Sequence, residues 1–293
     1  MTLRKASLLG AVLLLLTACS PATTPVSWSV PPSPSPSASS SPSASRAVPP
    51  RAGTCHARAV DQTAGSADNE AVDCAGGHLA ETVYVGQVTG AEASPPVLTR
   101  SATGASAAGQ SRLYAKCDQQ ATAYMGHVWV DPRLDLRVVL PDAAGWQAGA
   151  RWFRCDLVQR EPMTDARLDE ARSGSLKAHP LPPLCFNRDA NDTWNPVTCT
   201  TIHTGEYVGA FLHAPAASDP LNADSDAVFQ RCYGVAAAYM KVSGSRAEEL
   251  VSMSAVYQDD FEFWPSGRRY VGCFVVADKL VNGTVAGRGG KGL

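Results

Sequence analysis

The 293-residue chain has no apolar run long enough to cross a bilayer, which takes about 20 residues. Its longest such run, Ala6 to Leu16, stops well short. Neither charge is in large excess: 25 Lys and Arg stand against 27 Asp and Glu, a formal net charge of −2. Residues 51–180 hold 13 basic and 15 acidic side chains, and residues 181–293 hold 9 and 12. Neither half therefore offers the basic surface that nucleic acid requires, and no polybasic run suits an anionic headgroup layer. Several catalytic signatures are missing too. G-x-S-x-G, S-x-x-K and H-E-x-x-H do not occur, which removes the nucleophile elbow, the serine box of penicillin-binding proteins and the common zinc-protease helix.

What is present begins with an address. Arg4 and Lys5 precede the apolar segment, which closes on Leu16-Thr17-Ala18-Cys19. A positive n-region followed by a short h-region reads as a secretory signal. The Leu-Thr-Ala-Cys ending resembles a bacterial lipobox, in which the Cys thiol is alkylated by diacylglycerol and the chain is cut just before it. The expectation is a signal peptide over residues 1–18, a lipidated Cys19, and an anchor on the extracytoplasmic face of the cytoplasmic membrane. Each buried acyl methylene contributes about 0.8 kcal/mol. Ser20 to Pro50 is almost wholly Ser, Pro, Ala, Thr and Val. It cannot bury enough apolar surface to offset its ordering entropy, so residues 19–50 read as the lipidated Cys and a disordered stalk. At about 3.1 Å per residue in polyproline II, the stalk reaches roughly 90 Å.

The cysteines divide what remains. Of nine Cys, Cys19 is set apart, and the other eight fall in two quartets: Cys55, Cys74, Cys117, Cys155, then Cys185, Cys199, Cys232, Cys273. Their surroundings match in order. The second member of each begins Cys-x3-His-x2-Glu, in CAGGHLAE from Cys74 and CTTIHTGE from Cys199. The third stands in CDQQATAYM and CYGVAAAYM, and the fourth ends Trp-x2-Gly-x5-Cys, from Trp146 and from Trp264. Ser173-Gly174-Ser175-Leu176 echoes Asn282-Gly283-Thr284-Val285. Four coincidences in one order read as an internal duplication, with copies over residues 51–180 and 181–293.

Each copy reads as α+β, a small antiparallel sheet with one main helix. Val228, Cys232, Val235, Ala236 and Tyr239 recur at helical spacing, as do Leu113, Cys117 and Tyr124, so Cys and Tyr share a helix face. Trp152–Leu157 and Tyr270–Val275 are rich in β-formers. Turns precede them at Pro141–Gly145 and Trp264–Gly267. Leu134–Leu140, Met253–Tyr257, Glu81–Val88 and Glu206–Phe211 read as further strands. An exported chain favours disulfides over thiols. Four cysteines allow three pairings, and sequence does not choose among them. The preferred set joins first to second and third to fourth: Cys55–Cys74, Cys117–Cys155, Cys185–Cys199 and Cys232–Cys273.

These residues resemble the septum formation domain of actinobacterial exported and lipid-anchored proteins. That family shows an early Cys, a V-x-C-x3-H-x2-E segment, a Cys in an Ala-rich helix with an aromatic, a W-x2-G-x5-C hairpin and a Gly-Ser-Leu tail. Val72-Asp73-Cys74 with His78 and Glu81, and Val197-Thr198-Cys199 with His203 and Glu206, match the second element. The resemblance covers residues 53–177 and 184–285. Gly77 and Ile202 stand where the family usually has Pro, and Gly53-Thr54-Cys55-His56 and Leu184-Cys185-Phe186 depart from its Gly-Asp-Cys-Phe start. The resemblance implies a role in the cell envelope, around division, and brings no catalytic residues.

The repeated motif admits four chemistries. Zinc would draw on Cys74, His78, Glu81 and on His203, but structural zinc takes four Cys or His ligands, and oxidised cysteines leave one His and one Glu per copy. A cell-wall hydrolase using His78 and His203 with Glu81 and Glu206 would need two equal sites or one dead copy. A structural His–Glu unit, with the His bonding backbone near the Cys, accounts most simply for spacing that survives while its intervening residues change. A binding edge would need His78 and His203 partly exposed. Trp146 and Trp264 are alternative tips, while Arg151 with Arg154 and the Arg268-Arg269 pair could meet an anion, though exposed strand arginines are usually solvated. The preferred reading is a non-enzymatic interaction or scaffolding module without metal or cofactor, facing an envelope, cell-wall or division partner. The main competitor is the hydrolase; a small-molecule or metal-delivery lipoprotein would show a deep pocket between the copies.

Overall fold

The computed structural model describes residues 48–60, 70–90, 104–162, 168–190, 193–213, 225–257 and 270–293. The expected signal segment, Cys19, nearly all of the expected stalk, residues Trp264–Gly267 and Arg268-Arg269 lie outside these. Among the described residues no helix is long and apolar enough to cross a membrane.

The first half runs β1 (Thr54–His56), β2 (Ala71–Val72), β3 (Ala80–Gln87), α1 (Gly104–Met125), β4 (Leu134–Val139), α2 (Ala143–Gln147) and β5 (Trp152–Gln159). The second runs β6 (Cys185–Arg188), β7 (Trp194–Val197), β8 (His203–Leu212), α3 (Ser225–Met240), α4 (Gly244–Leu250), β9 (Ser252–Tyr257) and β10 (Tyr270–Val281). Two five-stranded sheets result, in the orders β2-β1-β3-β5-β4 and β7-β6-β8-β10-β9. Every pairing is antiparallel. Adding five to each label of the first order gives the second. The irregularities coincide as well. The β3–β5 register slips between Thr82 and Tyr84, opposite Asp156 and Cys155. The β8–β10 register slips at the corresponding place, between Cys273 and Phe274. The protein is thus α+β, with one backbone plan used twice.

Alternation along the strands puts one set of side chains against the long helix. In the first half Leu134, Leu136, Val138, Cys155 and Leu157 meet Leu113, Cys117 and Ala121 in one buried cluster. In the second, Val271, Cys273 and Val275 meet Val228, Cys232, Ala236 and Met240. Each fully buried aliphatic side chain contributes about 1.5–3 kcal/mol. Bridges Cys117–Cys155 and Cys232–Cys273 pin each helix to an inner strand, and all four of these cysteines are sealed from solvent. Bridges Cys55–Cys74 and Cys185–Cys199 tie the first strand of each sheet to the loop ahead of the His.

Local details depart from the sequence reading. The turn after Pro141 becomes α2, because Asp142 caps it: its Oδ1 accepts from the Gly145 amide at 2.7 Å, a free donor at any helix start. Ser243 caps α4 in the same way, so the second half carries a second helix. The β1–β2 and β6–β7 ribbons also went unread, being two to four residues per strand, too short for a period to show.

The halves pack together. Asp118 of α1 accepts from the Trp129 indole at 2.7 Å and from the Tyr270 hydroxyl at 3.2 Å. The Trp129 and Tyr270 rings meet edge to face at 6.3 Å. The Tyr207 hydroxyl donates to the Val130 carbonyl at 2.6 Å. Tyr270, from the second sheet, is buried in the first half's core.

Candidate functional site

Strand register sets Glu81 opposite Cys55 and Glu206 opposite Cys185. Both carboxyl groups point toward the helix, in step with the core residues on that face. Both are buried, at 1% and 0% exposure. The Glu81 Oε1 accepts from the hydroxyl of Tyr124, and its Oε2 accepts from the Leu176 amide at 2.7 Å. The Glu206 Oε1 accepts from the hydroxyls of Tyr239 and Thr284, and its Oε2 accepts from the Val285 amide at 2.7 Å. Seven residues separate each Tyr from the bridged Cys of its helix, nearly two turns, which is why one face delivers both. The tail amides arrive through left-handed glycines, Gly174 at φ 79° and Gly283 at φ 80°, a conformation that costs other residues roughly 1–2 kcal/mol. Their own amides donate to the carbonyls of Cys74 and Cys199 at 2.6 and 2.8 Å. Each Glu therefore fastens helix and tail to the sheet at once.

The two histidines sit alike. His78 and His203 are 1% and 0% exposed. Nδ1 lies 3.0 Å from the Gly76 carbonyl in one and 2.7 Å from the Thr201 carbonyl in the other, a contact that assigns the proton to Nδ1. Nε2 is buried without a hydrogen-bond partner in both. A ring nitrogen of His78, the Cys55 sulfur and a Glu81 oxygen all lie within 4.8 Å of one another, as do their counterparts at His203, Cys185 and Glu206. The cysteine brought to the His and Glu is thus the first of each quartet, and the second is its bridge partner. With the sulfur in a disulfide and both carboxyl oxygens engaged, this donor set is closed to a metal. Burial pushes the phenols of Tyr124 and Tyr239 above their ordinary range, and the hydrogen bond each gives to its Glu pushes them further.

The opposite face of each sheet is where the halves differ. In the first, His56, Thr82, Arg154 and Asp156 are all buried. The Thr82 hydroxyl lies 2.8 Å from His56 Nε2 and donates to Asp156 Oδ1 at 2.8 Å. Arg154 Nε donates to the other Asp156 oxygen at 2.9 Å. In the second, the same sheet positions hold Phe186, Tyr207, Gly272 and Phe274, and the three aromatic residues form with Leu184 a separate apolar cluster packed by Trp194. The Phe186 and Trp194 rings stack at 4.4 Å. Arg154 is therefore no solvated strand arginine but half of a sealed ion pair. Arg151 lies 4.2 Å over the Trp146 ring and donates to the Trp146 carbonyl at 2.8 Å, which makes Trp146 a half-buried packing residue instead of a free tip.

Between the halves runs an open cleft of about 380 Å³. The Met125–Leu134 stretch and Tyr207–Ala210 form walls, with the Pro180–Leu184 connection beside them. Its fixed charges are Asp131 and Arg133, which pair bidentately at 2.9 and 2.8 Å.

Sequence reasoning singled out His78, Glu81, His203 and Glu206, and the structure brings each pair to one buried place. It did not connect the Tyr-Met repeat to the Glu, although the matched positions of Tyr124 and Tyr239 carried that signal. It missed the polar rear face of the first sheet.

These features describe an α+β protein in which each of two sheets is stapled by disulfides and locked to its helix by a buried Glu. The family model described as septum formation matches residues 52–273, and the chain belongs to that family. The matched span runs through both halves. Neither curated proteins nor solved structures give a significant match.

Proposed function

We propose that the chain is a lipid-anchored, extracytoplasmic interaction protein of the cell envelope, serving septum formation without enzymatic chemistry. In this reading Cys19 carries the acyl anchor and the Ser/Pro-rich segment to Pro50 is the tether. Residues 51–180 and 181–293 are tandem copies of one actinobacterial domain. The family supports the envelope and division context, and four disulfides suit an oxidising compartment. The observation that carries the non-enzymatic part is burial. His78, Glu81, His203 and Glu206 are at most 1% exposed, and the Glu oxygens are occupied by the fold's own donors. A hydrolase using these residues would need them at a surface where polymer can reach them. Two linked modules raise the effective concentration for repetitive partners such as wall polymer or an oligomeric division protein.

The test has two arms. Cys19→Ser should move the protein from the membrane fraction to the soluble one, and intact mass of the wild type should show the acyl chains. Purified wall polymer should co-sediment with the protein without being cut. Release of wall fragments that disappears in a folded His78→Asn/His203→Asn double variant would establish the enzyme instead.

A further inference from the structure

The four disulfides are of two kinds. Cys117, Cys155, Cys232 and Cys273 are wholly buried, so no reagent reaches those bridges in the folded protein. In the other two, one sulfur is buried and one is not. Cys55 and Cys185 have no exposure, whereas their partners Cys74 and Cys199 lie in loops and are partly exposed. Beside each buried sulfur stands a buried His and a buried Glu, within 4.8 Å. The His has given Nδ1 to a backbone carbonyl. The ring nitrogen whose lone pair is still free for a donor is Nε2, which has no hydrogen-bond partner in either half. A buried, unsatisfied acceptor is costly and native proteins rarely keep one. Here it recurs at both equivalent positions. A disulfide sulfur has no proton to give that nitrogen, but a thiol does. The bridged form leaves Nε2 unsatisfied, and the opened form satisfies it.

We propose that Cys55–Cys74 and Cys185–Cys199 are thiol-exchange sites whose co-substrate is a dithiol, with His78 and His203 holding at Nε2 the proton that the attacking thiol gives up and the departing Cys55 or Cys185 thiolate receives. One thiolate of the dithiol attacks the accessible Cys74 sulfur. The Cys74–Cys55 bond breaks, and its electron pair leaves on Cys55. The proton released by the attacking thiol is retained between Cys55 Sγ and His78 Nε2. The second thiol of the dithiol then attacks its own mixed-disulfide sulfur and releases Cys74 as a thiol. In sum the dithiol is oxidised to a disulfide and the bridge is reduced to two thiols. Cys199, Cys185 and His203 repeat the sequence. Stabilising the reduced form makes a disulfide more oxidising, so these two bridges open well before the sealed pair. The inference adds thiol exchange to a protein read above as free of wall-hydrolysing chemistry, and its test is separate, since neither membrane release nor polymer binding enters it.

The full chain, extracted in detergent, is equilibrated with graded ratios of reduced to oxidised dithiothreitol, its circular dichroism is recorded, it is quenched in acid and alkylated in denaturant, and each cysteine is read by peptide mass. Cys55, Cys74, Cys185 and Cys199 should label at ratios that leave the other four bridged cysteines protected and the circular dichroism unchanged. His78→Asn keeps a donor for the Gly76 carbonyl but lacks Nε2. It should move the Cys55–Cys74 equilibrium about tenfold toward the disulfide, about 30 mV for this two-electron couple, and leave Cys185–Cys199 in place. His78→Gln, which restores a polar atom at that reach, should bring it back. The sign separates the proposal from simple loss of stability, because a destabilised fold makes the bridge easier to reduce. A shift in that direction, no shift, or opening of all four bridges only on unfolding would overturn it. A measurement on the wild type needs no variant to fold: glutathione adducts trapped early should sit on Cys74 and Cys199, and adducts on Cys55 or Cys185 would refute the site.

Discussion

Glu206 accepts from two hydroxyls and one amide while sealed from water. Removing its second acceptor oxygen strands a buried donor, and hydrogen bonds to charged groups contribute about 1.5–3 kcal/mol. Glu206→Gln should therefore lower unfolding free energy by about 2 kcal/mol, read as a fall in denaturant midpoint with an unchanged slope. Glu81→Gln should do the same in the first half. The partner phenols set the alkaline limit. Tyr124, Tyr239 and Tyr270 all have raised folded-state values, burial being the largest cause. Below about pH 10 each phenol is neutral whether folded or not, so its contribution is intact. Above that, the unfolded phenol loses its proton while the folded one keeps it, and stability falls as pH rises toward the folded value. Absorbance at alkaline pH should show these phenols ionising only as the protein unfolds.

At the level of elements, each long helix is held to its sheet by a bridge, and the first closes a separation of 38 residues. Loop closure of that size is associated with about 2–4 kcal/mol. Cys117→Ala/Cys155→Ala should lose that amount and increase hydrogen exchange across α1, leaving the second half's exchange nearly unchanged. Much of this architecture was legible. The apolar alternation in Leu134, Leu136 and Val138 gives β4 to within a residue, and the Cys–Tyr spacing gives the buried face of each helix. The short ribbons were not legible, because two to four residues carry no readable period. The rear face misled for a different reason. Arg154 and Asp156 alternate with Cys155 and Leu157, the pattern of a strand with one wet side. Only tertiary packing turns that side into an interior, and nothing in the strand itself records it.

The whole molecule is more than two modules on a string. Tyr207 and Tyr270 reach from the second sheet to Val130 and Asp118 of the first half, and Tyr207 is nearly sealed, at 8% exposure. Tyr207→Phe leaves the Val130 carbonyl without its donor, a loss of about 1–3 kcal/mol. Faster proteolysis within Pro180–Leu184, with each half's disulfides intact, should report the loosened seam. The chemistry of that seam makes the arrangement directional. Where the second half presents Tyr207 and Tyr270, the first has Thr82 and Trp152 at the same sheet positions. A chimaera of two leading halves would supply no phenol to grip its neighbour, and one of two trailing halves would have no Asp118 to be gripped. Backbones that superpose in plan are thus not exchangeable parts, and permuting them should yield two loose beads in place of one body.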